Sequence, residues 1–307
     1  MTNSANSALY ANFLLVVVTL LAAAGWVFSK FVLVAMTPMV FLAIRFAVSA
    51  LLMGSMKPGT IVNASRHQVK KALLTGVVLG IQTSVWGSAL AISEGLGVGA
   101  FLISLSFLLI PVTGLMFGYR AQSHTWIAIA LALPGVMLLA VRNGFALAPS
   151  DSLFLISAFL YSLYFNINGR LCAGIPPVTQ TFFQMLSASI VCVFAYFFLE
   201  IGETQSIGDV WVWLLLSIVL ATWLRFFLLL KAQNMAPEGQ GAVVMTLEPV
   251  WVAILSALLM GEQLNHFAVL GMAIIFLALI VNGLGTLRMA KRSKRARETA
   301  VSALSQD

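Results

Sequence analysis

The chain has 307 residues, of which 61% are hydrophobic and only 9% charged, with a formal net charge of +7 and a mean hydropathy of +1.00. A water-soluble domain carries roughly 25% charged residues, so this composition excludes a water-soluble fold and matches a surface that faces lipid. Two cysteines, Cys172 and Cys192, and three scattered histidines, His67, His124 and His266, supply neither a disulfide framework nor a metal-ligand spacing.

A helix that crosses a bilayer needs about 20 mostly apolar residues, each rising ~1.5 Å through a ~30 Å core. By that measure the sequence predicts an all-α integral membrane protein of ten transmembrane helices, at 10–28, 36–55, 72–92, 97–118, 124–142, 151–169, 177–199, 210–231, 240–260 and 265–287. The first 29 residues hold no charged side chain, so the positive start of a cleavable signal is missing and the first run is expected to stay as a helix.

Polar residues inside these runs are the candidate functional groups. Helix 2 carries Arg45 near its middle, and helix 3 presents Gln82 and Trp86 one turn apart. Gly76/Gly80 in helix 3 and Gly114/Gly118 in helix 4 have the small-xxx-small spacing that lets helices approach closely. Pro111, Pro134 and Pro249 interrupt helices 4, 5 and 9, freeing backbone carbonyls. In helix 6, Ser157, Tyr161, Tyr164 and Asn168 share one face, and Gln180, Gln184 and Ser187 repeat that rhythm in helix 7. Polar groups in lipid need hydrogen-bonding partners, so these faces turn inward, either as interhelical glue or as the lining of a wet pathway.

Helices 8 and 9 hold Arg225 and Glu248. A charge placed inside a membrane helix costs about 2.5–3.5 kcal/mol on insertion scales, so each needs a partner or a wet cavity. The short link between these helices makes an Arg225–Glu248 contact geometrically reasonable. Such a pair either merely neutralises buried charge or serves a substrate or proton; Glu248, placed eight residues into helix 9, is the candidate proton carrier or ion partner in the second case. Beyond the last run, Arg288, Lys291, Arg292, Lys294, Arg295 and Arg297 form a basic tail. That position fits attraction to anionic lipid rather than to nucleic acid.

The chain also repeats itself. Gly99-Ala-Phe-Leu-Ile-Ser-Leu-Ser-Phe107 recurs as Gly241-Ala-Val-Val-Met-Thr-Leu-Glu-Pro249, an offset of 142 residues, and His124 answers to His266 at the same offset. So long a period in so apolar a chain suggests two copies of one helix bundle, 10–142 and 151–287, followed by the cytoplasmic tail 288–307. With both termini on one side, that side receives thirteen lysines and arginines and the other only Lys30 and Arg142. Basic loops stay cytoplasmic, which predicts cytoplasmic N- and C-termini. Five helices per copy is an odd number, so the copies are expected to be inverted relative to each other, with a site near the midplane.

Gly25-Trp26, Pro38 with Ala43-Ile-Arg45-Phe46, Leu247-Glu-Pro-Val250 and Gly261-Glu-Gln-Leu264 together resemble the EamA-like family of the drug/metabolite transporter superfamily. The resemblance covers residues 10–287 and implies a ten-helix carrier of the inner membrane with a cavity bounded by helices 3, 4, 8 and 9. The first copy departs from the pattern with Ser106-Phe107 in place of Glu-Pro and Arg120 in place of Glu262. Arg225 also stands where the family often has an uncharged residue.

The expected function is secondary transport by alternating access, as an exporter of a small polar metabolite such as an amino acid. Efflux of amphipathic toxic compounds is the second expectation, and a non-transporting membrane scaffold or sensor the third. Candidate pathway residues are Arg45, Gln82, Trp86, Ser157, Tyr161, Tyr164, Asn168, Gln184, Arg225 and Glu248. No nucleotide-binding glycine run, zinc spacing or nucleophile–base pair is present, so neither an enzyme nor a cofactor is expected. Expected partners are the small-molecule substrate, a coupling proton and anionic lipid; the protein is either a monomer or a homodimer.

Overall fold

The computed structural model describes residues 2–118, 122–141, 147–201, 208–235 and 244–304. Among the described residues the regular structure is entirely helical. The helices are α1 Thr2–Val32, α2 Pro38–Met56, α3 Arg66–Ile92, α4 Gly97–Phe117, α5 Ser123–Val141, α6 Pro149–Leu171 and α7 Pro177–Leu199. Then come α8, built from Trp211–Ile218, Val219–Leu224 and Arg225–Met235, α9 Glu248–Met260 and α10 His266–Leu304. A single turn, Pro58–Val62, sits between α2 and α3. Of these, α1 to α4, α6 to α8 and α10 are long and apolar enough to cross a membrane, while α5 and α9 are shorter apolar helices.

Starts follow local chemistry. Proline occupies the first turn of α2, α6 and α7, where its missing N–H and fixed φ cost nothing. Ser65 and Gln68 close a reciprocal capping box at the start of α3.

Besides the earlier start of α3, at Arg66 rather than 72, three departures from the sequence expectation have a local cause. First, α1 runs past residue 28 to Val32, because Lys30 is not a loop charge: its Nζ donates to the carbonyls of Leu90, Ala91 and Ser93 at 2.9, 3.2 and 2.5 Å. Those carbonyls belong to the end of α3, where a cation is favourable. Second, α10 continues without a break from the expected end at 287 to Leu304, since no glycine or proline follows Gly285 and the residues beyond it favour helix. Third, Glu248 is not eight residues into a helix but the first residue of α9. Pro249 cannot donate to a preceding turn, so the regular helix starts there. Gly241, Ala242 and Val243 of the repeated segment lie outside the described residues, as do Arg120 and Arg142.

An interruption also occurs 142 residues earlier in the chain. α4 breaks between Gly97–Ser104 and Ser106–Gly114, so Leu105 and Ser106 stand where Leu247 and Glu248 stand 142 residues later. Within α4, Pro111 leaves the Phe107 carbonyl without its helical donor, and Asn282 of α10 supplies an N–H at 3.4 Å.

Packing is exchanged between the halves. α2 packs on α7, α4 on α9 and α5 on α10; α1 packs on α8 and α9, while α6 packs on α3 and α4. Gly76 and Gly80 form the α3–α7 seam: a methyl group at Gly76 would fall 2.7 Å from the Gln184 carbonyl oxygen, and one at Gly80 2.7 Å from Val191 Cβ. Gly118 has a different task from the expected packing pair. It adopts φ +82° and ends the 3₁₀ turn Leu115–Phe117, a conformation that glycine takes without strain. A seam the sequence reading missed joins α5 and α10, where Gly135 and Gly271 each face the other's carbonyl.

Candidate functional site

Where α1, α2, α8 and α9 meet, the chain gathers its membrane-embedded charges. Arg45 of α2 is 9% exposed. Its Nε donates to Thr222 Oγ1 at 2.7 Å and its Nη1 to Ser29 Oγ at 3.1 Å, and the guanidinium lies 5.7 Å from the Phe41 ring centre. Two local features shape this seat. Ser29 bonds back to the Gly25 carbonyl at 2.5 Å. A methyl group at Gly25 would lie 2.6 Å from Ala221 Cβ, so α1 and α8 touch here.

α8 is distorted at the same level. Val219–Leu224 is a π-helical turn, and Thr222 Oγ1 donates to the Ser217 carbonyl five residues back at 2.8 Å. Single π turns inside α-helices recur at functional sites. Immediately after the turn comes Arg225, whose Nη2 lies 3.5 Å from Glu248 Oε2, with 22% and 21% of the two side chains accessible. Glu248 also stands at the start of α9, where an acidic residue meets the unpaired amides of the first turn, an interaction typically worth about 0.3–1 kcal/mol. Arg45 lies within electrostatic reach of Arg225, and Tyr161 of α6 within reach of both Arg225 and Glu248. Arg225 Nε and the indole nitrogens of Trp223 and Trp251 are buried with no hydrogen-bond partner among the described residues.

The remaining predicted residues divide by how completely they are bonded. Gln82 Nε2 donates to Ser157 Oγ at 2.8 Å, and Ser157 Oγ donates to the Gln82 carbonyl at 3.3 Å. That closed pair ties α3 to α6. The second group ties α3, α6 and α7: Tyr164 donates to Gln184 Oε1 at 3.0 Å, and Gln184 Nε2 reaches Thr75 Oγ1 at 2.8 Å and Asn168 Oδ1 at 2.5 Å. Gln180 joins it through Asn168 at 2.8 Å. Trp86 packs edge-on to Trp26 at 5.2 Å, and Trp26 lies 5.7 Å from Phe154, giving an aromatic wall on α1, α3 and α6.

Ser29 and Thr222, the seat of Arg45, were absent from the sequence reading. Their one sequence signal is helical spacing: Ser29 is one turn after Gly25, and Thr222 is three residues before Arg225. Two further carboxylates were also missed as structural elements. Glu200, at the end of α7, accepts the Met39 amide at 3.1–3.2 Å. Glu262, just after α9, accepts the Leu96 and Gly97 amides at 2.9 and 3.1 Å and the Ser256 hydroxyl. Each joins the second half to a helix start in the first.

Residues 148–284 match the model of the EamA-like transporter family. The chain is similar to the chloramphenicol-sensitive protein RarD of Pseudomonas aeruginosa, 26% identical over 227 residues that cover 72% of this chain and 73% of the relative. One crystal structure of a protein shares the fold with a TM-score of 0.60, at 15% identity, over 92% of this chain and 98% of its own. Over residues 148–284 the chain is thus similar to the EamA-like transporter family, and the eight helices long and apolar enough to cross a membrane among the described residues fit a multi-pass membrane protein.

Proposed function

We propose that the protein is a secondary transporter of the inner membrane that exports a small polar metabolite, an amino acid being the type case. The single observation that carries this reading is the Arg45–Arg225–Glu248 cluster, drawn from both halves. Charges are expensive in lipid, and their persistence at the junction of two packed halves marks a solute or ion path. The exchange of packing partners between α1 to α5 and α6 to α10 supports ten passes in a 5+5 inverted arrangement. Alternating access then follows as rocking of residues 10–142 against 151–287 about a midplane site. The thirteen-to-two bias of basic residues supports cytoplasmic termini, with the basic end of α10 lying against anionic lipid.

In this reading Tyr161 and the Trp86 wall contact the solute, and Arg45 or Arg225 holds its carboxylate. Glu248 exchanges its bond to Arg225 for a proton. The test is transport in proteoliposomes with and without an imposed proton gradient. Glu248→Gln is expected to retain fold and lose the response to the gradient; an unchanged response assigns Glu248 a purely structural role. A second reading, efflux of amphipathic toxic compounds, is favoured by the Trp26–Trp86–Phe154 wall. Dye efflux that Trp86→Ala abolishes while amino-acid exchange is absent supports it.

A further inference from the structure

We propose that the centre of the bundle selects a small organic oxyanion, a solute with net negative charge borne on a carboxylate or phosphate. The inference rests on the transport reading above and narrows its substrate class. The cluster holds two guanidiniums and one carboxylate, and that carboxylate contacts Arg225 at 3.5 Å. Arg45 meets only neutral oxygens, those of Thr222 and Ser29. Among the described residues the cluster of Arg45, Arg225 and Glu248 therefore has one positive charge in excess. Two like charges in a low-dielectric interior repel, and a bound anion relieves the repulsion.

The buried, unpartnered groups on α8 and α9 nearest the cluster in sequence are Arg225 Nε, Trp223 Nε1 and Trp251 Nε1, all donors, and the Ser49 hydroxyl, one turn from Arg45 on α2, is free to donate as well as accept. Buried polar atoms are nearly always satisfied, so unpaired donors point to a missing acceptor. A solute rich in acceptors fits, and a planar guanidinium presents its N–H groups as a fork that matches carboxylate or phosphate oxygens. A zwitterion with no net charge leaves the excess positive charge uncompensated, and a cation adds to it.

The test uses the full-length protein in proteoliposomes at neutral pH and four probes: L-glutamate, O-phospho-L-serine, L-glutamine and L-lysine. L-Glutamate or O-phospho-L-serine is expected to exchange ~10-fold or more faster than L-glutamine, the ratio given by one charge-assisted hydrogen bond. Which of the two anions is faster distinguishes carboxylate from phosphate. Arg45→Gln is expected to reduce the glutamate-to-glutamine ratio to about 1, while Arg45→Lys, which keeps the charge and loses the fork, retains part of it. The wild-type probe series decides the matter even where Arg45→Gln does not fold. Exchange of L-glutamine or L-lysine as fast as the anions overturns the anion selectivity and leaves transport standing. Exchange of none of the four overturns both.

Discussion

Glu262 offers the sharpest stability test, because one side chain makes three bonds to two helices. Its carboxylate accepts the amides of Leu96 and Gly97 at the start of α4 and the hydroxyl of Ser256 in α9. Glu262→Ala removes all three bonds and the negative charge at a helix start. Hydrogen bonds to a charged group are worth about 1.5–3 kcal/mol each when buried, and an acidic residue at a helix N-terminus about 0.3–1 kcal/mol. Glu262 is only half-buried, so solvent replaces part of this, and a total of about 3 kcal/mol is expected. For a chain of this size that corresponds to a fall of ~6 °C in apparent melting temperature. Glu262→Gln keeps a carbonyl acceptor, and about half the loss is expected. The assay is intrinsic tryptophan fluorescence during heating of the purified protein in detergent. Equal melting of wild type, Glu262→Gln and Glu262→Ala refutes the reasoning, and so does a larger loss for Gln than for Ala.

Gly76→Ala is expected to force α3 and α7 apart, since the new methyl would lie 2.7 Å from the Gln184 carbonyl oxygen; a cost of about 1–3 kcal/mol follows. The control Gly59→Ala, with nothing within 4 Å, should melt like wild type. Tyr164→Phe deletes one hydrogen bond to Gln184 and is expected to cost about 1 kcal/mol with transport per folded molecule unchanged; a transport loss without a stability loss places the hydroxyl on the solute path instead. Val62 is 82% exposed and the native cysteines are buried, so Val62→Cys and Ala300→Cys should resist a membrane-impermeant thiol reagent in intact cells. Reaction of either from outside overturns the cytoplasmic placement of the termini.

Hydropathy and turn chemistry alone made the membrane class and most helix bounds legible. The run 177–199 coincides with α7, because a proline opens it and its apolar length is that of a bilayer. The α3 glycine seam was equally legible, since small residues four apart in an apolar helix leave room for a neighbour. The Arg225–Glu248 contact followed from a short link joining two helices that each bury a charge, and the two groups stand 3.5 Å apart. Tertiary structure decided what lies across the bundle. Lys30 read as a loop charge until the end of α3 supplied its acceptors. Glu262 read as part of a loop motif, and its role depends on amides 165 and 166 residues away in sequence. The seat of Arg45 on Thr222 spans 177 residues. Periodicity reports which face of a helix is polar, because that follows from 3.6 residues per turn. Which helix that face meets, and whether its donors find acceptors, is set only when the separate helices pack.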